Sequence, residues 1–277
     1  MERKVRQIPY GVTNFEEIRS RNMYYVDKTM YIPKLEYAGN FLMFLRPRRF
    51  GKSLMLAVLA DYYDVRRKDQ FDELFSGLYI HDNPTEYRNK YLILSLNFSK
   101  VDPKDVETSF NVYLLGRIRA FVSDYREYLT DTNYDDFKDI KSSNSAFNEL
   151  DNAVRRSGYK MYVIIDEYDN FANTILAESE DTYRNVTHGD GFFRLFFNNL
   201  KACTTGSDSS VSRILISGVT PLCLSDVTSG YNIGTNISLE RDFNSMAGFN
   251  GTEIREMFEY YRDAVGNFNH SVDELMQ

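Results

Sequence analysis

Apolar residues fall in short unbroken runs, separated by longer stretches where they recur every three or four positions. The run "NFLMFL" (Asn40–Leu45) is long enough for one buried strand. Beyond a basic break, Leu54, Val58 and Tyr62 share one face with Met55 and Leu59, which predicts a helix over Ser53–Tyr63. "YLILSLNF" (Tyr91–Phe98) predicts a second strand, followed by helical periodicity from about Lys104 to Tyr128. The acidic stretch Thr130–Asn144 reads as a surface loop and Ala146–Ser157 as a helix. "KMYVIIDEYDNF" (Lys160–Phe171) is a third strand ending in carboxylates, and Ala177–Asp190 a polar excursion. An aromatic-rich helix spans Gly191–Cys203, a fourth strand Ser212–Pro221 and a weaker fifth Gly234–Glu240. "GTEIREMFEYYRDAV" then opens a final helix, with Asn250 or Thr252 as its cap and little left for it to pack against. Strands that are apolar throughout and alternate with helices predict an α/β fold: a central five-stranded, mostly parallel sheet with helices on both faces.

Composition narrows the function classes. A hydrophobic fraction of 43% and a charged fraction of 26% fit a soluble globular chain of 277 residues, with 21 Tyr and 20 Phe but no Trp to fill its core. The net charge of −7 argues against a bulk-electrostatic nucleic-acid binder. Cys203 and Cys223, and the scattered His81, His188 and His270, have no metal-site or disulfide spacing. Buried, inert thiols in a reducing compartment are expected. No stretch reaches the roughly 18 apolar residues of a membrane span, and the charged start "MERKVRQIPYG" lacks a signal core. A cytoplasmic protein with no membrane contact is the expectation.

The densest basic cluster lies between the first strand and its helix, in "RPRRFGKS". The phosphate-loop pattern G-x-x-x-x-G-K-[ST] requires that placement. Gly51, Lys52 and Ser53 satisfy its end, while Arg46 stands where the first glycine belongs. Gly51 lets the backbone approach an anion at a helix N-terminus, Lys52 reaches terminal phosphates and the Ser53 hydroxyl can ligate Mg²⁺. Pro47 pre-sets a turn by fixing φ; Arg48 and Arg49 either add charge on a phosphate or carboxylate or face solvent. Alone, "GKS" is a weak signal. "YVIIDEYD" supplies its complement, a second strand ending in an acid. Asp166 is the candidate metal carboxylate and Glu167 the candidate base for an attacking water. The bland alternative is a strand end whose acids are simply hydrated. Ser217 or Thr220 could sense a terminal phosphate or merely cap the fourth strand, and Asn97 is a similar candidate. Arg213 reads as a surface arginine, or as an arginine finger if oligomers form.

Five boxes in order, "IPYGVTNFEEIRSRNMYYVDKT" (Ile8–Thr29), "FLRPRRFGKSL" (Phe44–Leu54), "FDELFSGLYI" (Phe71–Ile80), "VIIDEYDNFAN" (Val163–Asn173) and "ISGVTP" (Ile216–Pro221), resemble the AAA-ATPase-like family of bacterial P-loop proteins. In that family the loop reads "RPRRFGKS", so Arg46 is a family feature. The resemblance implies a three-layer, AAA+-like P-loop NTPase fold, with residues 1–245 as the ATPase-like core and 246–277 as the start of a helical lid. It carries Arg46, Pro47, Arg48, Arg49, Phe50, Gly51, Lys52, Ser53, Leu54 and Ser217 onto the nucleotide. Lys52 and Glu167 become catalytic, Ser53 and Asp166 metal ligands, and "YVDKT" (Tyr25–Thr29) part of the nucleotide's surroundings. The expected cofactors are ATP, favoured over GTP by the resemblance alone, and Mg²⁺. Family members continue into a nuclease-like domain of the PD-(D/E)XK type. This chain stops just inside the lid, so no nuclease part is expected in it; a truncated form, a fragment and a shortened family member all fit. The implied function is ATP binding and hydrolysis driving a conformational change, on a protein partner, a second copy or, by family analogy, nucleic acid. Two alternatives stay open: a nucleotide-binding switch with little turnover, and an aromatic-rich interaction scaffold.

Overall fold

The structure, a computed structural model, describes residues 5–188, 191–221, 234–266 and 270–276. Its centre is a sheet of β1 (Phe41–Leu45), β2 (Tyr91–Asn97), β3 (Lys160–Asp166), β4 (Val211–Gly218) and β5 (Thr235–Asn236). The spatial order is β2-β3-β4-β1-β5, and every pairing is parallel.

Alternate strand residues feed two separate cores, as the two-residue period of a pleated strand requires. Met43 and Leu45, Leu92, Leu94 and Leu96, Met161, Val163 and Ile165 join one cluster. It is closed by α6 (Val106–Asp124), α7 (Ser143–Ser157), α8 (Asn170–Glu178) and α10 (Phe192–Ala202). Leu42, Phe44, Ile93, Tyr162, Ile164 and Leu215 point the other way. They meet α1 (Phe15–Ser20), α2 (Tyr31–Ala38), α3 (Lys52–Tyr63), α4 (Phe71–Phe75) and α5 (Tyr79–Asp82). Phe98, Phe110, Phe171, Phe193 and Phe196 interlock edge to face in the first core, which is how a chain without Trp fills it.

The expected helices and strands are present, with corrections to their bounds. The fifth strand, expected over Gly234–Glu240, is only Thr235–Asn236, and the fourth ends at Gly218, short of Pro221. Residues 177–188 of the expected excursion are instead the end of α8 and a helix α9 (Glu180–Thr187), whose Tyr183 and Val186 are buried; only two apolar positions mark it in the sequence, and 189–190 lie outside the described residues. The acidic loop contains a 3-10 turn, Tyr134–Phe137, that plants Phe137 in the core. The third strand stops at Asp166, and Asn170 already belongs to α8. Near the C-terminus, α11 (Gly251–Val265) carries a capping box between Asn250 and Glu253, which settles its cap, and α12 (Val272–Leu275) follows. Contrary to the expectation that α11 lacks a partner, Tyr260 and Tyr261 both pack on Tyr24, and their hydroxyls bond the backbone of Arg6.

One edge of the sheet, β2, is shielded by α6 and the residue that caps it. Ile93 N donates to the Tyr125 hydroxyl (2.9 Å) and Asn97 N to the Tyr113 hydroxyl (2.6 Å), while Arg117 Nε donates to Ser95 O (3.0 Å). Tyr91 makes a parallel bridge to Asp64. No helix among the described residues is long and apolar enough to cross a membrane.

Candidate functional site

Parallel pairing brings the carboxyl ends of β1, β4 and β3 to one edge of the sheet. Phe44 lies level with Ser217, Leu45 with Gly218 and Ile165 with Ile216. The loop after β1 and the acids after β3 therefore emerge on either side of the β4 exit.

Gly51 caps α3 in the left-handed region, at φ +80°, and no side chain caps the helix. Its first amides and dipole are thus left facing the loop, the usual makings of an anion cradle. Arg49 also has positive φ, +68°. Lys52 is buried, and its Nζ donates to the carbonyls of Arg46 and Pro47, both at 2.9 Å. Burial pushes its pKa down, against the pull of Asp166, Glu167 and Asp169. The ammonium is held by neutral carbonyls alone, which a phosphate oxygen can outbid.

The Ser53 hydroxyl, one residue on, donates to Asp166 Oδ2 at 2.6 Å. Asp166 Oδ1 accepts from the Ser217 hydroxyl (3.1 Å) and from Glu167 N (3.0 Å). One buried carboxylate thus joins the loop helix, the β3 end and the β4 end. Glu167 sits at φ +49°, unusual for a residue with a side chain and of the kind that gathers at functional sites. Its Oε2 accepts from Asn170 Nδ2 at 3.1 Å.

The remaining sequence candidates divide. Pro47, Arg48, Arg49 and Phe50 are exposed along the loop, and Arg48 and Arg49 form no ion pair among the described residues. Arg46 turns away from the cradle. Its guanidinium donates to the carbonyls of Leu45, Ser238 and Phe243 and lies 4.6 Å from the Phe44 ring centre. In place of a flexible glycine, this residue braces the loop against the segment after β5. Leu54 packs its side chain on the second core. Thr220 and Asn97 are committed to local bonds, Thr220 with Asp169 and Asn97 with Ser99. Arg213 is neither on the surface nor at this edge. It is buried at the start of β4, over the Tyr87 ring, because β4 is covered on both faces. "YVDKT" is a structural knot. Asp27 accepts from Thr29 and from Tyr79 N, and buried Lys28 donates to Ser245 O and Glu253. Cys203 is buried; Cys223 lies outside the described residues.

Sequence reasoning missed Asp169 and Tyr168, which knit the β3 and β4 exits together, and Gly248, whose backbone abuts the loop tip at Gly51 and Phe50. The third acid of "DEYD" was the available signal for the first of these. Among the described residues no group of three or more His, Cys, Asp or Glu is placed to hold a metal. Mg²⁺ asks for less, since it keeps several waters and takes one or two protein oxygens beside substrate phosphates. Ser53 Oγ and Asp166, already in contact, supply that donor set.

The sequence profile of the AAA-ATPase-like family, described as predicted AAA-ATPase, matches residues 9–228. An uncharacterized protein in the vnfD 5′ region of Azotobacter chroococcum mcd 1 is 27% identical over 260 residues, which cover 93% of this chain. The chain spans 45% of that relative's length. No solved structure matches. With the profile running from the N-terminal box through the loop, the acid strand and the β4 exit, the chain belongs to the AAA-ATPase-like family of predicted AAA-ATPases.

Proposed function

We propose that this protein binds ATP with Mg²⁺ at the carboxyl edge of the sheet and hydrolyses it to drive a conformational change. One observation carries the reading: Ser53 from the loop helix and Ser217 from β4 both donate to Asp166 at the end of the acid strand. A loop with an anion cradle and a strand-end carboxylate converge within hydrogen-bond reach. ATP is preferred to GTP because the family is described as a predicted AAA-ATPase.

In this reading the first amides of α3 hold the β-phosphate. Lys52 leaves the carbonyls of Arg46 and Pro47 and takes up terminal phosphate oxygens. Arg48 and Arg49, exposed and without carboxylate partners, face the phosphate chain from the loop. Ser53 Oγ and Asp166 hold Mg²⁺, which when bound neutralises charge on the β- and γ-phosphates. Glu167 accepts a proton from the attacking water, and Ser217 donates toward the terminal phosphate. The core is residues 1–245, and 246–277 begins a lid. Because Gly248 abuts Gly51 and Lys28 anchors Ser245 O, a ligand in the loop presses on the segment that leads into α11. That contact is the route for a conformational output, whether to a protein partner, a second copy or a nucleic acid.

A nucleotide-binding switch with little turnover is the second reading. The bond of Glu167 Oε2 to Asn170 favours it, because it engages the candidate base. Two measurements decide. Lys52→Ala should weaken MgATP binding at least about tenfold; equal affinity in both proteins removes the site altogether. Steady-state phosphate release by the wild type that disappears in Glu167→Gln supports the enzyme, whereas background rates in both leave the switch.

A further inference from the structure

The exits of β3 and β4 are joined by more than sheet pairing. Asp169 is 1% exposed, and no basic side chain pairs with it among the described residues. Its Oδ2 accepts from Thr220 N (2.7 Å), Thr220 Oγ1 (3.0 Å), Val219 N (3.1 Å) and Asn173 Nδ2 (3.1 Å). A carboxylate so deeply buried is tolerated only when donors replace its hydration, and here most of them come from one turn. Tyr168 completes the joint: its N donates to Ser217 O at 3.2 Å and its hydroxyl to Thr220 O. The fit leaves no slack. A Cβ on Gly218 would lie 2.5 Å from the Tyr168 ring and 2.7 Å from Asp169 Oδ1.

This clasp decides what β4 can offer a ligand. The amides of Val219 and Thr220 and the hydroxyl of Thr220 are consumed by Asp169, so among the described residues of the strand exit the side-chain donor left for a ligand is Ser217 Oγ, which would exchange Asp166 for a phosphate oxygen. That hydroxyl is held one residue from the clasped turn and 3.1 Å from Asp166 Oδ1. We propose that Asp169 is a positioning residue. It locks the Ser217–Thr220 exit against the end of β3, so that Ser217 and Asp166 keep a fixed spacing at the terminal-phosphate end of the site. The proposal rests on the nucleotide reading above and adds to it a residue that touches no ligand.

The test uses the full chain, with MgATP and MgADP as probes. Asp169→Asn keeps shape but turns one acceptor oxygen into a donor. Its MgADP affinity should stay within about twofold of wild type, while its preference for MgATP over MgADP, and any turnover at saturation, falls at least about fivefold. Tyr168→Phe should move the same two quantities in the same direction by about two- to threefold. Asp169→Asn with both quantities unchanged, even if it melts earlier, overturns the proposal and leaves Asp169 as a fold element. Equal losses of MgADP and MgATP binding overturn it too, because they mark damage to the whole cradle. If Asp169→Asn does not fold, Tyr168→Phe decides by the same criteria. A wild-type chain that binds neither nucleotide rejects the nucleotide reading itself, and this proposal with it. Binding without turnover rejects only hydrolysis and leaves the MgATP-over-MgADP preference to decide.

Discussion

Lys28 and Glu253 stand 225 residues apart in the chain and form an ion pair at 2.5 Å, with side chains only 10% and 17% exposed. Glu253 uses its other oxygen to cap its own helix through Asn250 N. The pair therefore ties the N-terminal box to the first turn of α11, close to the loop after β1. Lys28→Met strands Glu253 in a poorly solvated place and should cost about 3 kcal/mol of stability in urea titrations. The double change Lys28→Met with Glu253→Gln should cost clearly less than the sum of the single changes. Strict additivity would mean the two groups do not interact.

Asp61 gives the fold a pH dependence of opposite sign to that of an ordinary salt-bridged acid. Burial raises its carboxyl to about 6, although Arg67 lies 3.3 Å away. The folded state therefore holds this proton where the unfolded chain has lost it. The contribution to stability is full below the unfolded pKa of 3.8 and falls as pH rises through about 6. Asp61→Asn should remove that slope and, relative to wild type, gain about 2 kcal/mol between pH 4 and pH 7. Denaturant midpoints at the two pH values check it; parallel shifts in both proteins would show that Asp61 does not titrate in this window.

Cys203 should be chemically silent while the chain is folded. Burial, reinforced by nearby Asp151, pushes its thiol up to about 12, so almost no thiolate exists at pH 8. In a Cys223→Ser background, alkylation by iodoacetamide at pH 8 should be slower than for the denatured chain by about a hundredfold or more. Comparable rates would show that the pocket around Cys203 opens readily.

Tyr125 tests how much the shielded sheet edge is worth. Tyr125→Phe leaves Ile93 N buried without its acceptor, at a cost of about 1–2 kcal/mol. The loss should appear in the melting transition and in faster amide exchange along β2, while MgATP binding stays unchanged.

Much of this was legible in the sequence, for identifiable reasons. Apolar runs such as Phe41–Leu45 and Met161–Ile165 have the length of strands buried on both faces, and the spacing of Leu54, Val58 and Tyr62 puts them on one helix face. The short N-terminal helices were not legible. The buried signal of α1 is Phe15 and Ile18 alone, too few positions to set a period. Strand order was also hidden, because nothing local says that β4 separates β1 from β3; only crossovers longer than any periodic window decide that. At the site, loop and acids could be read because each follows a strand. The different duties of Asp166 and Asp169 could not, since both are aspartates of one box and only the β4 turn, about fifty residues on, tells them apart. Arg46 was opaque for the same reason: its partners Ser238 and Phe243 lie 192 and 197 residues away.

The row of side chains that α6 lays along β2 has a consequence for assembly. A neighbouring molecule trying to extend this sheet by one strand would find Tyr113, Arg117 and Tyr125 already occupying the main-chain positions it needs. Sheet-to-sheet polymerisation is thus blocked from that flank. Copies that come together on this side must meet through helices and loops, contacts that can be made and released without unzipping the fold.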